Sequence, residues 1–182
     1  MIEMDRAEKV ISDRACPPLP ASLGRGESWP VAWHAIDDFA AVLFVQASQH
    51  IPRWARQRFD LLVAQLVAQP GGPFACDNFG GIGPGSSYDP FATPPRAADG
   101  LVEAGTAMRI ETDDHGEAVS HWAVGWGRAG AGVTFVDLRT DTASVRVPIN
   151  SAAGYFIAVA EGQDPTLVAG VEGVADEAET TP

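Results

Sequence analysis

The most regular alternation of apolar and polar residues lies near the carboxy-terminal end of the chain. Val145, Val147 and Ile149 are each separated by one residue, so their side chains fall on one face of a predicted strand. Four apolar runs with strand-like content lie within 118–160, between clusters of Gly, Asp, Asn and Ser. This arrangement is typical of an antiparallel β-meander.

Further strands are predicted towards the amino terminus and at the far end of the chain. Trp29–Ala35 and Phe39–Ala47 are joined by a turn at Ile36-Asp37-Asp38, and Leu101–Thr112 and Leu167–Val171 have similar strand-like content. Phe39–Ala47 is apolar without regular alternation, which indicates a central strand covered on both faces.

The spacing of apolar residues changes to steps of three and four over 52–69, which predicts a helix there. Pro52 is tolerated at a first helical position, and Pro70-Gly71-Gly72 ends the run. The apolar residues at this spacing are Ala55, Phe59, Leu62, Val63, Leu66 and Val67. A second, short helix is predicted before Cys16, because Met4, Ala7, Val10 and Ile11 fall on one helical side.

These elements predict one mainly β domain, an antiparallel β-sandwich-like fold with one packed helix at about 52–69 and a short N-terminal helix. Residues 1–27 form the N-terminal helix and a lead-in rich in Pro and Gly, and residues 28–174 form the β-rich domain. Within it, 71–99 is so rich in Gly and Pro that a loose loop is expected. The acidic tail at 175–182 is expected to be disordered.

The length and charge of the chain narrow the function classes. At 182 residues it is long enough for one domain with a hydrophobic core. With 12 basic and 24 acidic residues its formal charge is −12, which repels nucleic acid and anionic lipid. No apolar run approaches the ~20 residues of a membrane helix, and the first residues are acidic rather than typical of a signal peptide. The chain as written is therefore expected to be soluble and cytoplasmic, without direct membrane insertion.

The two cysteines, Cys16 and Cys76, allow one disulfide or two unrelated thiols. The lack of an export signal favours free thiols.

Four tryptophans form two pairs with the same spacing. Trp29 and Trp33, and likewise Trp122 and Trp126, are four residues apart in predicted strands, which predicts that both rings of a pair share one strand face. An exposed pair would bind a sugar or a peptide by stacking, whereas a buried pair would belong to the core.

The strongest cluster of chemically active side chains lies around a predicted turn. Asp113, Asp114 and His115 stand in the turn and His121 stands on the following strand, so an imidazole pair near carboxylates would suit zinc or a general base. The same residue types also form solvated turns. Under the first interpretation, the protein is a small metal-dependent hydrolase.

No motif for a nucleophile or a phosphate site accompanies this cluster. The sequence has no Gly-x-Ser-x-Gly, and the glycines at 80–85 match neither the dinucleotide fingerprint nor a P-loop. The sequence therefore predicts no catalytic residue and no cofactor. It favours a non-enzymatic binding or interaction module, and a subunit of a larger assembly is a third alternative.

The segment Gly127–Gly162 resembles a segment that recurs in uncharacterised actinobacterial envelope proteins. The resemblance implies a β-sandwich ectodomain behind a single membrane anchor, with no catalytic residues to carry over and with a protein or envelope component as partner. This chain departs from the pattern because it shows no anchor and has Ala158-Val159-Ala160 where the family has a tryptophan-rich strand end. The matching positions are Gly127, Arg128, Gly130, Val133, Thr134, Val145, Val147, Gly154, Tyr155, Phe156 and Gly162.

Overall fold

A computed structural model describes residues 2–48, 58–86, 89–112 and 115–172, and these residues form one helix and ten strands. The mainly β, antiparallel, sandwich-like fold is confirmed, as is the short N-terminal helix. The tail at 175–182 lies outside the described residues. The elements in chain order are α1 (Ile2–Asp13), β1 (Ser28–Ile36), β2 (Phe39–Ala47), β3 (Phe59–Ala68), β4 (Phe74–Ser86), β5 (Leu101–Thr112), β6 (Ala118–Ala129), β7 (Phe135–Arg139), β8 (Ser144–Pro148), β9 (Tyr155–Glu161) and β10 (Thr166–Gly170).

The strands form three antiparallel sheets in the described part of the chain. The first sheet has the order β1-β2-β3-β4, the second β5-β6-β9 and the third β10-β7-β8. The β1–β2 hairpin pairs Ile36 with Phe39, so its turn consists of Asp37 and Asp38. Asp37 has a φ of 44°, which aspartate tolerates better than most residues.

The sheets are stacked, and each contact between layers is a separate hydrophobic core. The helix core lies between α1 and the first sheet, with Ala7, Val10, Ile11, Val42, Phe44 and Leu66 among its members. The inner core lies between the first and second sheets and includes Phe39, Leu43, Val45, Val124, Trp126, Ile157 and Val159. The outer core lies between the second and third sheets and includes Ala123, Val136, Leu138, Val147, Phe156 and Ala158.

The helix predicted at about 52–69 is wrong over the part that the structure describes. Phe59–Ala68 is β3, a central strand between β2 and β4. Phe59 and Val63 pack in the inner core, while Leu62 and Leu66 pack in the helix core. A strand covered on both faces is an almost continuous apolar run, and such a run also contains steps of three and four. Residues 52–57 lie outside the described residues.

The loose loop predicted over 71–99 is also wrong in its first half. Phe74–Ser86 forms β4, which pairs with β3 with two register shifts. Its register shifts opposite Gln65 and Leu66, where Asp77 is the extra residue of a β-bulge. The glycines of this strand weaken the sequence signal, because Gly is depleted in strands.

The carboxy-terminal strands are confirmed, but they do not form one continuous meander. β6 pairs with β5 and β9, whereas β7 pairs with β8 and β10 in the third sheet. The chain crosses between sheets through the Gly-rich bend at 130–132. The β7–β8 hairpin then covers the second sheet, and Val147 on β8 is 5% exposed. Both faces of β6 and β9 are apolar, so they require this second cover.

Candidate functional site

One of the two tryptophan pairs is packed between the first and second sheets. Trp126 is only 4% exposed, and its indole lies over Gly105 of the neighbouring strand. Trp122 stacks on Phe39, with 5.4 Å between ring centroids and an angle of 12° between planes. The predicted shared face is confirmed for this pair. These rings contribute to the inner core, so the pair does not present its ring faces for stacking on a ligand.

The other pair does not share a face, so that prediction is wrong for Trp29 and Trp33. Trp29 lies opposite Val45 and packs in the inner core, whereas Trp33 lies opposite Val42 and packs against the helix core. The register of β1 shifts between Pro30 and Ala32. A β-bulge adds one residue, which reverses the alternation for every residue beyond it.

Trp33 is half-buried and lies in a cleft of about 850 Å³ that we call the Trp33 cleft. Helix α1 forms one wall of the cleft, and Ile11, Ala35 and Phe74 add apolar surface beside the indole. Four carboxylates and two cationic side chains also line it, namely Asp5, Glu8, Asp13, Asp37, Lys9 and Arg14. Lys9 is paired with Asp13 at 2.8 Å. The Trp33 cleft therefore combines an aromatic surface with a net negative rim.

A second depression of about 440 Å³, which we call the β1–β9 groove, adjoins the same tryptophan. Its walls come from β1, from the end of β8 and from the start of β9, and they include Trp33, His34, Pro148 and Tyr155. A smaller apolar pocket of about 230 Å³ lies beside Trp29, whose ring lies 5.5 Å from the Arg6 guanidinium. Depressions thus adjoin β1 from Trp29 to Ala35.

His34 connects the first and second sheets. The backbone N–H of Val159 on β9 donates a hydrogen bond of 3.2 Å to Nδ1 of His34. Nδ1 can accept this bond only while it carries no proton. Burial lowers the pKa of His34, which agrees with a neutral imidazole at this position.

The lowered pKa of His34 predicts that the protein loses stability in mild acid. The unfolded chain takes up a proton at His34 near pH 6.5, whereas the folded chain resists it to lower pH. The free energy of unfolding should therefore rise with pH through this range, and fall as pH drops below about 6.5 towards the folded pKa. Thermal unfolding midpoints between pH 5 and 8 would measure the effect.

The control for this prediction is His34→Gln, which removes the titrating group. The variant should show a smaller pH dependence than the natural chain over the same range. An equal pH dependence in both proteins would mean that other groups cause it.

The predicted metal site is only partly within the described residues. His115 is exposed in the turn before β6, and His121 is half-buried on β6 opposite Ile110. Asp113 and Asp114 lie outside the described residues. Within the described ranges, no three His, Cys, Asp or Glu side chains are grouped closely enough to hold a metal ion. The complete set therefore stays a prediction.

The two cysteines are free thiols, as predicted. Both pack against the helix core. Burial raises the pKa of Cys16 to about 11, and burial is also the largest cause of the raised pKa of Cys76. Protonated thiols are poor nucleophiles, so neither cysteine has the character of a catalytic residue.

Comparisons with protein-family models, with curated proteins and with solved structures found no match. The resemblance of Gly127–Gly162 to actinobacterial envelope proteins therefore stays a prediction. No helix in the described ranges has the length and apolar character to cross a membrane.

The residues that carry this resemblance have packing roles in the structure. Arg128 is 2% exposed, and its guanidinium donates hydrogen bonds to the carbonyl oxygens of Ala153 at 2.7 Å, Asp89 at 2.9 Å and Ala92. The Tyr155 ring lies 5.3 Å below this guanidinium. Arg128 therefore fastens the irregular segment 89–99 to β6 and to the loop before β9.

The sequence did not identify the walls of the Trp33 cleft. Three of its four carboxylates, Asp5, Glu8 and Asp13, belong to α1 and lie well before Trp33 in the sequence. Nothing in the local sequence indicates that α1 lies against β1 and β4. The amphipathic pattern of α1 predicts a buried face, but not the sheet that covers it.

Proposed function

We propose that the chain is a non-enzymatic binding module that takes a basic segment of a partner protein in the Trp33 cleft. The observation that carries the proposal is a half-exposed indole in a cleft whose lining has more carboxylates than cationic groups. A cationic side chain over an indole gains about 0.5–2 kcal/mol from the ring quadrupole. The same cation would be attracted by the carboxylates around the ring.

The composition of the cleft supports a polypeptide rather than a small molecule. Small-molecule pockets are lined mostly by apolar side chains, whereas seven of the twelve side chains around the Trp33 cleft are polar or charged. The formal charge of −12 also accelerates encounter with a basic partner. The resemblance of Gly127–Gly162 to envelope proteins supports a cell-envelope protein as the source of that segment.

Calorimetric titration with a flexible decapeptide of Lys, Phe and Gly tests the proposal, with a peptide that has Glu in place of Lys as the comparison. The Lys peptide should bind, and its affinity should fall with added salt. Trp33→Leu should weaken binding by about tenfold or more, because it removes the aromatic platform. Melting curves would show that the variant remains folded.

The contribution of rim charge is tested by Asp5→Lys, with Glu172→Lys as a matched control. Both residues are exposed, and both changes raise the net charge equally. Only Asp5 lines the cleft, so Asp5→Lys should weaken binding several-fold more than Glu172→Lys. Equal effects of the two variants would mean that the peptide responds to net charge alone.

A further inference from the structure

The edge strands of the three sheets differ in how well they are protected. An unpaired strand edge exposes backbone N–H and C=O groups that can pair with another chain, and proteins usually protect such edges with proline, lysine, bulges, short length or a covering segment. β8 and β10 have five residues each. β1 has a bulge after Pro30, and β9 is covered by β1 through His34. β4 contains a bulge at Asp77 and several glycines.

Within the described part of the chain, β5 has none of these protections between Glu103 and Glu111, and its one bulge lies at Val102 near the start of the strand. It has 12 residues, contains no proline or lysine, and pairs only with β6 among the described strands. Its pairing with β6 is regular from Glu103 to Glu111. Among the described residues this edge of β5 is therefore unpaired, and it is long enough to serve as a template for another strand.

The outward face of this strand carries no charge. Its residues alternate along β5 and are Ala104, Thr106, Met108, Ile110 and Thr112. Met108 is 40% exposed and Ile110 is 53% exposed, and both rank among the most exposed large apolar residues in the described part of the chain. On a chain with a formal charge of −12, this uncharged strip is where a second copy would meet little repulsion.

The opposite face of β5 carries a self-complementary pair of charges. Arg109 contacts Asp77 of β4, and its Nε lies 3.7 Å from Glu111. That Nε is buried without a hydrogen-bond partner among the described residues. Two copies of β5 that pair antiparallel about Ile110 would place each Arg109 directly opposite Glu111 of the second copy. This register forms two identical ion pairs and brings the two Ile110 side chains together.

We propose that the free edge of β5 pairs with β5 of a second copy, so that the second sheets of a homodimer form one continuous six-stranded sheet. A two-fold axis at Ile110 makes the interface isologous. The other register that pairs Arg109 with a carboxylate uses Glu103 of the second copy. It would set the β-bulge at Val102 opposite Ile110 and interrupt the ladder.

Sedimentation velocity on the complete chain tests this proposal, and it does not depend on binding in the Trp33 cleft. The chain should sediment as a species of twice 19.2 kDa. Ile110→Lys should raise the dissociation constant of the dimer by about tenfold or more. Val171→Lys is the matched control, because Val171 is 43% exposed beyond β10 and should leave the dimer unchanged. A monomer at all concentrations, or a dimer that Ile110→Lys does not weaken, would overturn the proposal.

Reversal of the charges at Arg109 and Glu111 tests which residues of the two β5 strands lie opposite one another. Arg109→Glu alone and Glu111→Lys alone should each sediment as monomers, since each places like charges opposite one another twice. An equimolar mixture of the two variants restores both ion pairs and should form a heterodimer. The recovery also shows that each variant folds. If the mixture stays monomeric while the natural chain dimerises, the register about Ile110 is wrong.

Discussion

Arg128→Ala should lower the free energy of unfolding by about 3–5 kcal/mol. The guanidinium of Arg128 satisfies three backbone carbonyl groups that lie on two different loops. Alanine would leave these carbonyl oxygens without their donor in a site where the native side chain is 2% exposed. Each such loss costs about 1–3 kcal/mol, and water that enters the vacated space recovers part of it. Chemical denaturation would measure the change.

Arg139→Ala serves as the control for this prediction. Its guanidinium is about half exposed and lies 3.6 Å from the buried carboxylate of Asp137. Because Asp137 keeps two hydrogen bonds from Arg146, the loss of Arg139 should cost only about 1 kcal/mol. The loss of stability for Arg128→Lys should lie between those for Arg139→Ala and Arg128→Ala, because an ammonium group cannot reach three diverging acceptors in the same geometry. If Arg128→Ala is no more destabilising than Arg139→Ala, the segment 89–99 is not fastened by this side chain.

Gly154→Ala should destabilise the protein by about 2–4 kcal/mol, through the backbone and through a direct clash. Gly154 has a φ of 77°, and a Cβ at this position would lie 2.5 Å from the carbonyl oxygen of Ala129. The backbone N–H of Ala129 donates to the carbonyl of Gly154 at 2.8 Å, so relief of the clash would also disturb this bond. The expected result is a lower midpoint in thermal and chemical unfolding.

Gly116→Ala measures the backbone effect in the absence of a clash. Gly116 has a φ of 79°, and a Cβ added there would have no neighbouring atom within 4 Å. The substitution should therefore cost only about 1 kcal/mol, from the left-handed conformation alone. Equal losses for Gly154→Ala and Gly116→Ala would contradict the close approach of Gly154 to Ala129.

Much of the strand content could be predicted because local chemistry determines it. The β1–β2 hairpin follows from an apolar run on either side of Asp37-Asp38, and β5 begins and ends at the predicted residues. Alternation at Val145 and Val147 identified β8 and the face that it buries. These features depend on residues that are close in sequence, so alternation and turn residues in the sequence predict them.

The errors arose where burial or geometry depends on distant segments. β3 has the apolar spacing of a helix because β2 and β4 flank it and it is apolar on both faces. The alternation of residue types predicts one face for Trp29 and Trp33 because it does not reveal the bulge between them. The split of the carboxy-terminal strands between two sheets follows from the apolar second face of β6 and β9, which a single meander cannot cover.

The candidate site could be predicted only in part. Trp33 was identified from the sequence, but as a partner of Trp29 rather than as part of a cleft. The cleft exists because Ala7, Val10 and Ile11 fix α1 on the first sheet, and this packing brings carboxylates of α1 to the indole. A sequence pattern can indicate that a helix has a buried face, but the identity of its neighbours comes from tertiary structure.

The most direct test of the account is the location of the binding surface. Two-dimensional NMR of the uniformly ¹⁵N-labelled chain, titrated with the Lys decapeptide, reports on every assigned backbone amide and tryptophan indole. Binding in the Trp33 cleft should give shifts concentrated in α1, at Trp33 and its neighbours on β1, and near Phe74. An absence of shifts at a large excess of peptide, or shifts confined to the third sheet, would contradict a binding module built around the Trp33 cleft.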